Sequence, residues 1–401
     1  MRRIRQVLAG LALAGFGVAL AFAALEVGVR VLHLFPDRFW QPDALLGTRL
    51  IPGQRGWWTQ EELEFRVPVT INSHGFRDVE HSVTKPEGVV RVLLLGDSFI
   101  EAMQVPIDAT IGRQLEAQLN AGAAGGRRYE VVSMGVSGYG TASELLTYRT
   151  IGRQYAADVV LLAFYPGNDI KNNSATLEDK MPPVYGPGGA LERVSSKGQK
   201  DEPPRVGLSK LLNSSEAYRF VRKKILTQHP GTAQALARLG VLDRGAMIEI
   251  PMRDGVPLDY WVFAASWPPE WQEAWRSTEG LLDELRREVS ADGASLALMV
   301  VSSRERVYPE TWQTITEANP RMKDNDWDLG APERKVLQWC NERGVPCLAL
   351  SPIFAAHNTE GQRLHWLYDG HWTAAGHALA AKTVAEFLRE QHLLPSHDAT
   401  R

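Results

Sequence analysis

The chain has 401 residues, 44% of them apolar and 23% charged, and a formal net charge of −3. That is the makeup of a folded protein with room for one large domain or two ordinary ones. Near-neutrality, with no run of Lys/Arg beyond the extreme N-terminus, argues against nucleic acid as a partner, because phosphate binding needs a concentrated basic face.

At the N-terminus Arg2, Arg3 and Arg5 precede an unbroken apolar run from Val7 to Leu25, close to the length that crosses a hydrocarbon core as a helix. Positive charge at its start predicts a cytoplasmic N-terminus and an exported remainder, on the periplasmic or extracytoplasmic side. Ala21-Phe22-Ala23 would serve as a signal-peptidase site, so a cleaved signal peptide is the rival reading. The apolar pattern continues through Val27, Val29, Val31 and Leu32, with Glu26 and Arg30 on the polar side, and this favours a retained anchor over residues 1–34. Residues 35–85, with aromatic and β-prone residues and the turn signal Asn72-Ser73-His74-Gly75, read as an extended or β-rich lead-in.

Apolar runs of strand length follow at Val89–Leu95, Glu130–Met134, Val159–Phe164, Leu296–Val301 and Cys347–Leu350. They are nearly continuous rather than alternating, as expected of strands covered on both faces. Helical patterns lie between them at Ile111–Leu119, Ser143–Tyr155 and Ala331–Arg343, and a last helix spans Ala374–Gln391 with Thr373 as its N-cap. Such alternation predicts a parallel sheet with helices on both faces. Residues 171–264, richer in Pro, Gly, Ser and charge, read as an insertion or lid with one helix around Glu216–Leu226. The catalytic domain is then 86–170 together with 265–395. The only two cysteines, Cys340 and Cys347, form no CxxC pair. They are read either as a disulfide of an exported protein or as two partly buried thiols, and spacing does not decide between these.

Chemistry gathers at the strand ends. Ser98, in Gly96-Asp97-Ser98-Phe99, follows directly on the first apolar strand. A serine nucleophile needs a base, an orienter for the base and donors for the oxyanion. Asp369-Gly370-His371-Trp372 precedes the last helix, so His371 can be the base and Asp369 its orienter. Gly135-Val136-Ser137-Gly138-Tyr139-Gly140 ends the second strand, and Gly167-Asn168-Asp169 follows the third. The Gly138 N–H, the Asn168 side chain and the Ser98 N–H are the candidate oxyanion donors.

The order Gly-Asp-Ser, Gly, Gly-Asn-Asp and Asp-x-His resembles the SGNH/GDSL hydrolase superfamily over roughly 86–170 and 290–392. The lead-in Ile71-Asn72-Ser73-His74-Gly75-Phe76-Arg77-Asp78 resembles membrane-anchored bacterial members. The resemblance implies a flavodoxin-like three-layer α/β/α sandwich with a parallel sheet, with Ser98 as nucleophile, Gly138 and Asn168 as oxyanion donors, His371 as base and Asp97 in a structural role. Many members place the acid three residues before the histidine. Here that position is Tyr368, and the near acid, Asp369, stands two before. The Asp-x-His spacing is similar to the alginate O-acetyltransferase branch, which sets acyl transfer beside hydrolysis. The expected function is therefore an exported esterase acting on acyl esters, acetyl esters of an envelope carbohydrate foremost. O-acetyl transfer to a polysaccharide hydroxyl is the alternative, and a non-catalytic glycan-binding subunit the third reading.

Other signals carry plainer readings. Gly135-x-x-Gly138-x-Gly140 has the wrong glycine order for a dinucleotide loop, and no cofactor is expected. No Gly-x-Ser-x-Gly elbow is present. His365, His371 and His377, six residues apart, do not share a helix face and imply no metal site, and His377 reads as a helix-surface residue. Trp267, Trp271 and Trp275 read as a packed helix face rather than a sugar platform. Trp372 either walls the pocket or packs beneath it.

Overall fold

The computed structural model describes residues 2–60, 64–121, 127–178, 184–185, 191–192, 215–229, 231–232, 235–236, 251–358 and 361–394. The centre of the fold is a five-stranded parallel sheet built from the continuous apolar runs. Numbering after two short lead-in strands, β1 (Trp40–Asp43) and β2 (Gly47–Leu50), the sheet strands are β3 (Val89–Gly96), β4 (Arg128–Gly135), β5 (Val159–Phe164), β6 (Ser295–Val300) and β7 (Cys347–Ala349). Their spatial order is β7-β6-β5-β3-β4, every pair parallel. This is the flavodoxin-like order, in which the chain runs outward from β3 to one side and then crosses to the other. All eight residues of β3 are buried, because helices cover both faces.

One face is covered by α3 (Ile111–Ala121) and α9 (Ala374–Glu390), whose Ile111, Leu115, Ala380 and Val384 pack with Val92, Leu94, Val131 and Leu161. The other face is covered by α4 (Thr141–Thr150) and α7 (Pro269–Ala291), and α5 (Pro166–Asn172) packs on these two helices. The helix expected over Ser143–Tyr155 is shorter. α4 ends at Thr150 and a 3₁₀ turn, Gly152–Tyr155, completes the crossover. A Cβ at Gly152 would lie 2.9 Å from Leu93, so the turn sits tightly on the sheet. α8 (Ala331–Arg343) carries Cys340, which is disulfide-bonded to Cys347 with a Cα–Cα distance of 6.2 Å. Of the two readings of this pair, the disulfide is the one found.

Contacts divide the chain into two compact units. The sheet belongs to the unit of Arg38–Gly56, Val67–Gly198 and Pro251–Arg401, and the other unit gathers Met1–Asp37, Trp57–Arg66 and Gln199–Ile250. In the latter, α1 (Arg2–Val31) is long and apolar enough to cross a membrane, and its large apolar side chains from Ile4 to Phe22 are exposed, whereas Val29 near its end is buried. α6 (Glu216–Gln228) lies in the same unit. Most of the expected insertion 171–264 falls outside the described residues.

In the stretch read as β-rich, β1 and β2 form an antiparallel hairpin, and further strands occur at Arg55–Thr59 and Arg66–Thr70. The turn signal is realised as an Asx turn. Asn72 Oδ1 accepts from His74 N at 3.1 Å and Phe76 N at 2.9 Å, with Gly75 at φ +85. It delivers Arg77 and Asp78 into the core. The Arg77 guanidinium donates to the carbonyls of Ala102 and Val105, and Asp78 Oδ2 accepts Ser133 N at 2.7 Å. The lead-in thus braces the chain just beyond Ser98.

The three tryptophans are buried as a packed cluster, at 6% (Trp267), 0% (Trp271) and 7% (Trp275) exposure. Trp267 precedes α7 rather than lying on it.

Candidate active site

Ser98 is the first residue of the short helix α2 (Ser98–Glu101), directly after β3. The Asp97 side chain caps this helix, accepting from Phe99 N at 2.9 Å. The helix can sit over the strand ends only because two residues lack side chains. A Cβ at Gly96 would lie 2.5 Å from Ile100, and one at Gly135 2.5 Å from the Glu101 backbone nitrogen. Close approach, rather than turn geometry, is what requires these two glycines.

His371 Nε2 lies 2.7 Å from Ser98 Oγ, and His371 Nδ1 lies 2.7 Å from Asp369 Oδ1. The same carboxylate oxygen accepts the His371 backbone N–H at 3.2 Å. Gly370 makes the two-residue spacing work. At φ +88 it folds the chain back so that Asp369 reaches the ring of its near neighbour. Tyr368, at the position where many members carry the acid, is 62% exposed. The Arg304 guanidinium donates to the Leu367 carbonyl at 3.0 Å and so supports this loop from below.

Burial works against the charged form of both triad partners, and their mutual contact reverses it. Desolvation alone would lower His371, but the hydrogen bond and charge of Asp369, with Asp97 and Glu101 behind, hold it above the ordinary imidazole value. Desolvation alone would raise Asp369, but His371 and a bond from Gln104 hold it below the ordinary carboxylate range. A base must be unprotonated to accept the serine proton. Activity toward a neutral ester should therefore be lost as pH falls through a midpoint above 6.5. Asp369→Asn should move that midpoint down, since the largest influence opposing desolvation is removed and only the more remote charges of Asp97 and Glu101 remain. A pH–rate profile of kcat/KM for both proteins checks this, and a midpoint unmoved by the substitution would contradict it.

The expected oxyanion donors occupy neighbouring strand ends. Asn168, in the first turn of α5, gives one amide hydrogen to Asp97 Oδ2 at 2.7 Å, which leaves its second hydrogen for another acceptor. Gly138 takes φ +79, is exposed, and has no atom within 4 Å of a notional Cβ. Its carbonyl is held by Asn172 Nδ2 at 2.9 Å. Asp97 is fully buried and its pKa is raised by desolvation. It contacts Asn168 and Phe99 N, in keeping with a structural role. Asp169, within α5, reaches back to accept Tyr165 N at 2.7 Å, and no side chain caps the start of this helix.

Two neighbouring readings are settled by burial. Trp372 has 0% exposure and packs beneath the site, its indole donating to Ser302 Oγ at 2.9 Å and its ring 5.1 Å from Phe99. His377 is not a helix-surface residue. It is 1% exposed against Trp372, and burial holds it neutral, with its pKa lowered to about 3.

Sequence reasoning missed Glu101, Gln104, Tyr165 and Arg304. Glu101 accepts from Trp40 Nε1 at 2.9 Å and bonds Ser137 Oγ, tying the Gly138 loop to α2, and burial pushes its pKa up to about 7. Tyr165 packs on Phe99 at 4.9 Å, and Phe99 packs on His371 at 4.8 Å. Glu101 stands one helical turn beyond the nucleophile, a signal that was available. The others belong to no motif.

A serine, a histidine and an aspartate in hydrogen-bonded series at the carboxyl end of a flavodoxin-like sheet are the arrangement that serine-nucleophile chemistry uses. Residues 258–401 match the family model described as the SGNH hydrolase-like domain of the acetyltransferase AlgX. The match includes Asp369 and His371 but not Ser98, Gly138 or Asn168. The family model over this C-terminal part and the order of the sheet support membership of the SGNH hydrolase superfamily.

Among solved structures, the chain is similar to the lipase/acylhydrolase from Enterococcus faecalis, at 13% identity and a TM-score of 0.37, covering 77% of this chain and 100% of that one. A variant of the acetyl-xylooligosaccharide esterase Axe2 from Geobacillus gives 13% identity and a TM-score of 0.37, covering 78% and 97%. The acetyl xylan esterase AlAXEase gives 10% identity and a TM-score of 0.36, covering 75% and 99%. The fold is read from the sheet order, and the family model covers its C-terminal part. No curated protein matches the chain.

Proposed function

We propose that the chain is a serine esterase that removes acyl groups, acetyl foremost, from an envelope carbohydrate, anchored by α1 with its catalytic unit on the extracytoplasmic side. The observation that carries the reading is the continuous series Ser98–His371–Asp369, with 2.7 Å at each step. Ser98 Oγ attacks the ester carbonyl and its proton passes to His371 Nε2. The carbonyl oxygen takes the negative charge, held by the N–H groups of Ser98 and Gly138 and the free amide hydrogen of Asn168. Collapse breaks the ester bond, and the departing alkoxide takes the proton from His371. Water then gives a proton to His371 as it attacks the acyl carbonyl, and collapse breaks the bond to Ser98 Oγ, which takes the proton back from His371 as the acid leaves.

The second reading keeps the acyl-enzyme but lets a sugar hydroxyl take the place of water. The family model, named for an acetyltransferase, favours keeping it. A chromogenic acetyl ester assayed with and without an acceptor oligosaccharide tests both. Acid released to water supports hydrolysis, and acetylated acceptor supports transfer. Neither product, with function in cells retained by Ser98→Ala, sinks both and leaves a non-catalytic glycan-binding subunit. Within either reading, Asn168→Ala should lower kcat by about 10²- to 10³-fold, the usual cost of one lost oxyanion donor. A kcat unchanged in that variant would remove Asn168 from the site.

A further inference from the structure

α6 (Glu216–Gln228) carries Arg219, Arg222, Lys223 and Lys224 against the single carboxylate of Glu216, in a chain whose net charge is −3. This concentration of cations takes no part in the ester chemistry. Its position relative to α1 is fixed by polar contacts within one unit. Glu26 on α1 accepts from Ser215 Oγ at 2.7 Å, Ala217 N at 2.7 Å and Glu216 N at 3.2 Å, so it caps α6. It also accepts from Arg30 at 2.7 Å.

The depth of that contact follows from helix geometry. Glu26 lies 23 residues beyond Arg3 on a continuous helix, about 35 Å at the usual rise of about 1.5 Å per residue. A hydrocarbon core is about 30 Å thick. With the N-terminal arginines at one interface, Glu26 and the start of α6 therefore stand at the level of the opposite headgroups. A carboxylate with four donors is also at home there and not in hydrocarbon.

The surroundings have the composition of a membrane interface. The Phe35 ring lies 4.4 Å from the Arg219 guanidinium and 5.9 Å from Lys223 Nζ. Phe35, Thr59, Phe220, Lys223 and Lys224 line one recess. Beside it, Trp57 stacks on His33 at 4.9 Å and lies under Arg66 at 4.7 Å. Aromatic rings and clustered Lys/Arg next to a membrane helix are the pairing that engages headgroups. Lys223 and Val221 are exposed on α6.

We infer that α6 and the aromatic residues around the exit of α1 bind the anionic phospholipid headgroups of the leaflet through which α1 emerges. The inference rests on α1 as a retained membrane span. The test reconstitutes the full chain in nanodiscs of phosphatidylcholine, with and without about 30 mol % phosphatidylglycerol. Hydrogen exchange is then read on residues 216–228. Exchange should slow about tenfold with the anionic lipid, and salt at about 0.5 M should abolish the difference by screening. Arg222→Gln/Lys223→Gln/Lys224→Gln should also abolish it, while exchange in phosphatidylcholine and the ester-hydrolysis rate stay as in the parent.

Equal exchange in the two lipids overturns the inference. So does equal protection by millimolar inorganic phosphate in phosphatidylcholine, which would mark a free-anion site. Co-elution of the chain with the discs reports the span separately, and its absence overturns both.

Discussion

Ser98→Ala should lower kcat/KM for a chromogenic acetyl ester by at least about 10⁴-fold, a loss of about 5 kcal/mol of transition-state stabilisation. His371→Ala should cost about as much, and the double variant little more, because nucleophile and base act as a unit. The fold should be unaffected by the serine change, since the hydroxyl's recorded partner is His371 Nε2 at 2.7 Å. Losses that add in the double variant would mean that the two residues act in separate steps. A retained rate in Ser98→Ala would move the nucleophile elsewhere. Asp369 acts one step removed. Asp369→Asn should leave the geometry close to intact but spoil the tautomer and orientation of His371, with a loss of about 10³- to 10⁴-fold.

Trp372→Ala should destabilise the catalytic unit by about 3–5 kcal/mol, the cost of emptying a large buried aromatic site. Trp372 has 0% exposure and its ring meets those of Phe99, Phe354 and His377 at 5.1, 5.4 and 5.4 Å. It therefore joins the segment after Ser98 to α9 and to the helix that follows β7. The substitution should also impair catalysis in the fraction that remains folded, because His371 precedes Trp372 directly and rests on Phe99 at 4.8 Å. Trp372→Phe keeps much of the packing but removes the indole donor to Ser302 Oγ, and should cost about 1–3 kcal/mol. Denaturant midpoints of the three proteins at constant slope test this ordering. An alanine variant within about 1 kcal/mol of the parent would show that the site collapses around the gap.

The strands were legible because both faces of a parallel sheet are covered. Val159–Phe164 is accordingly apolar at every position and Val89–Gly96 at all but Arg91, whose charge is paired with Glu130, and no tertiary knowledge is needed to see the two runs. The same property explains why site residues stood out. Polar residues such as Ser98 and Asn168, placed where an apolar strand stops, mark the sheet edge at which an α/β fold exposes side chains. The helix over Ser143–Tyr155 was overdrawn because helical periodicity persists to Tyr155, while the stop is imposed by the close approach of Gly152 to Leu93.

By itself the chain's order of residues determined the α/β class and the apolar N-terminal helix and singled out Ser98, Gly138, Asn168, Asp369 and His371 as candidates, since each depends on local composition or on position after a strand. Tertiary structure alone decided the rest. Whether Asp369 could serve a histidine two residues away depended on the left-handed turn at Gly370, a backbone angle that spacing does not encode. The pairing of Cys340 with Cys347 depended on α8 returning to the edge strand. His377 and Trp372 were ambiguous because burial is a property of what other segments bring to a residue. Glu101 is the sharpest case: an ordinary acid in sequence, it is pushed up to about 7 by burial, which the bonds from Ser137 and Trp40 and the charge of Arg77 offset only in part.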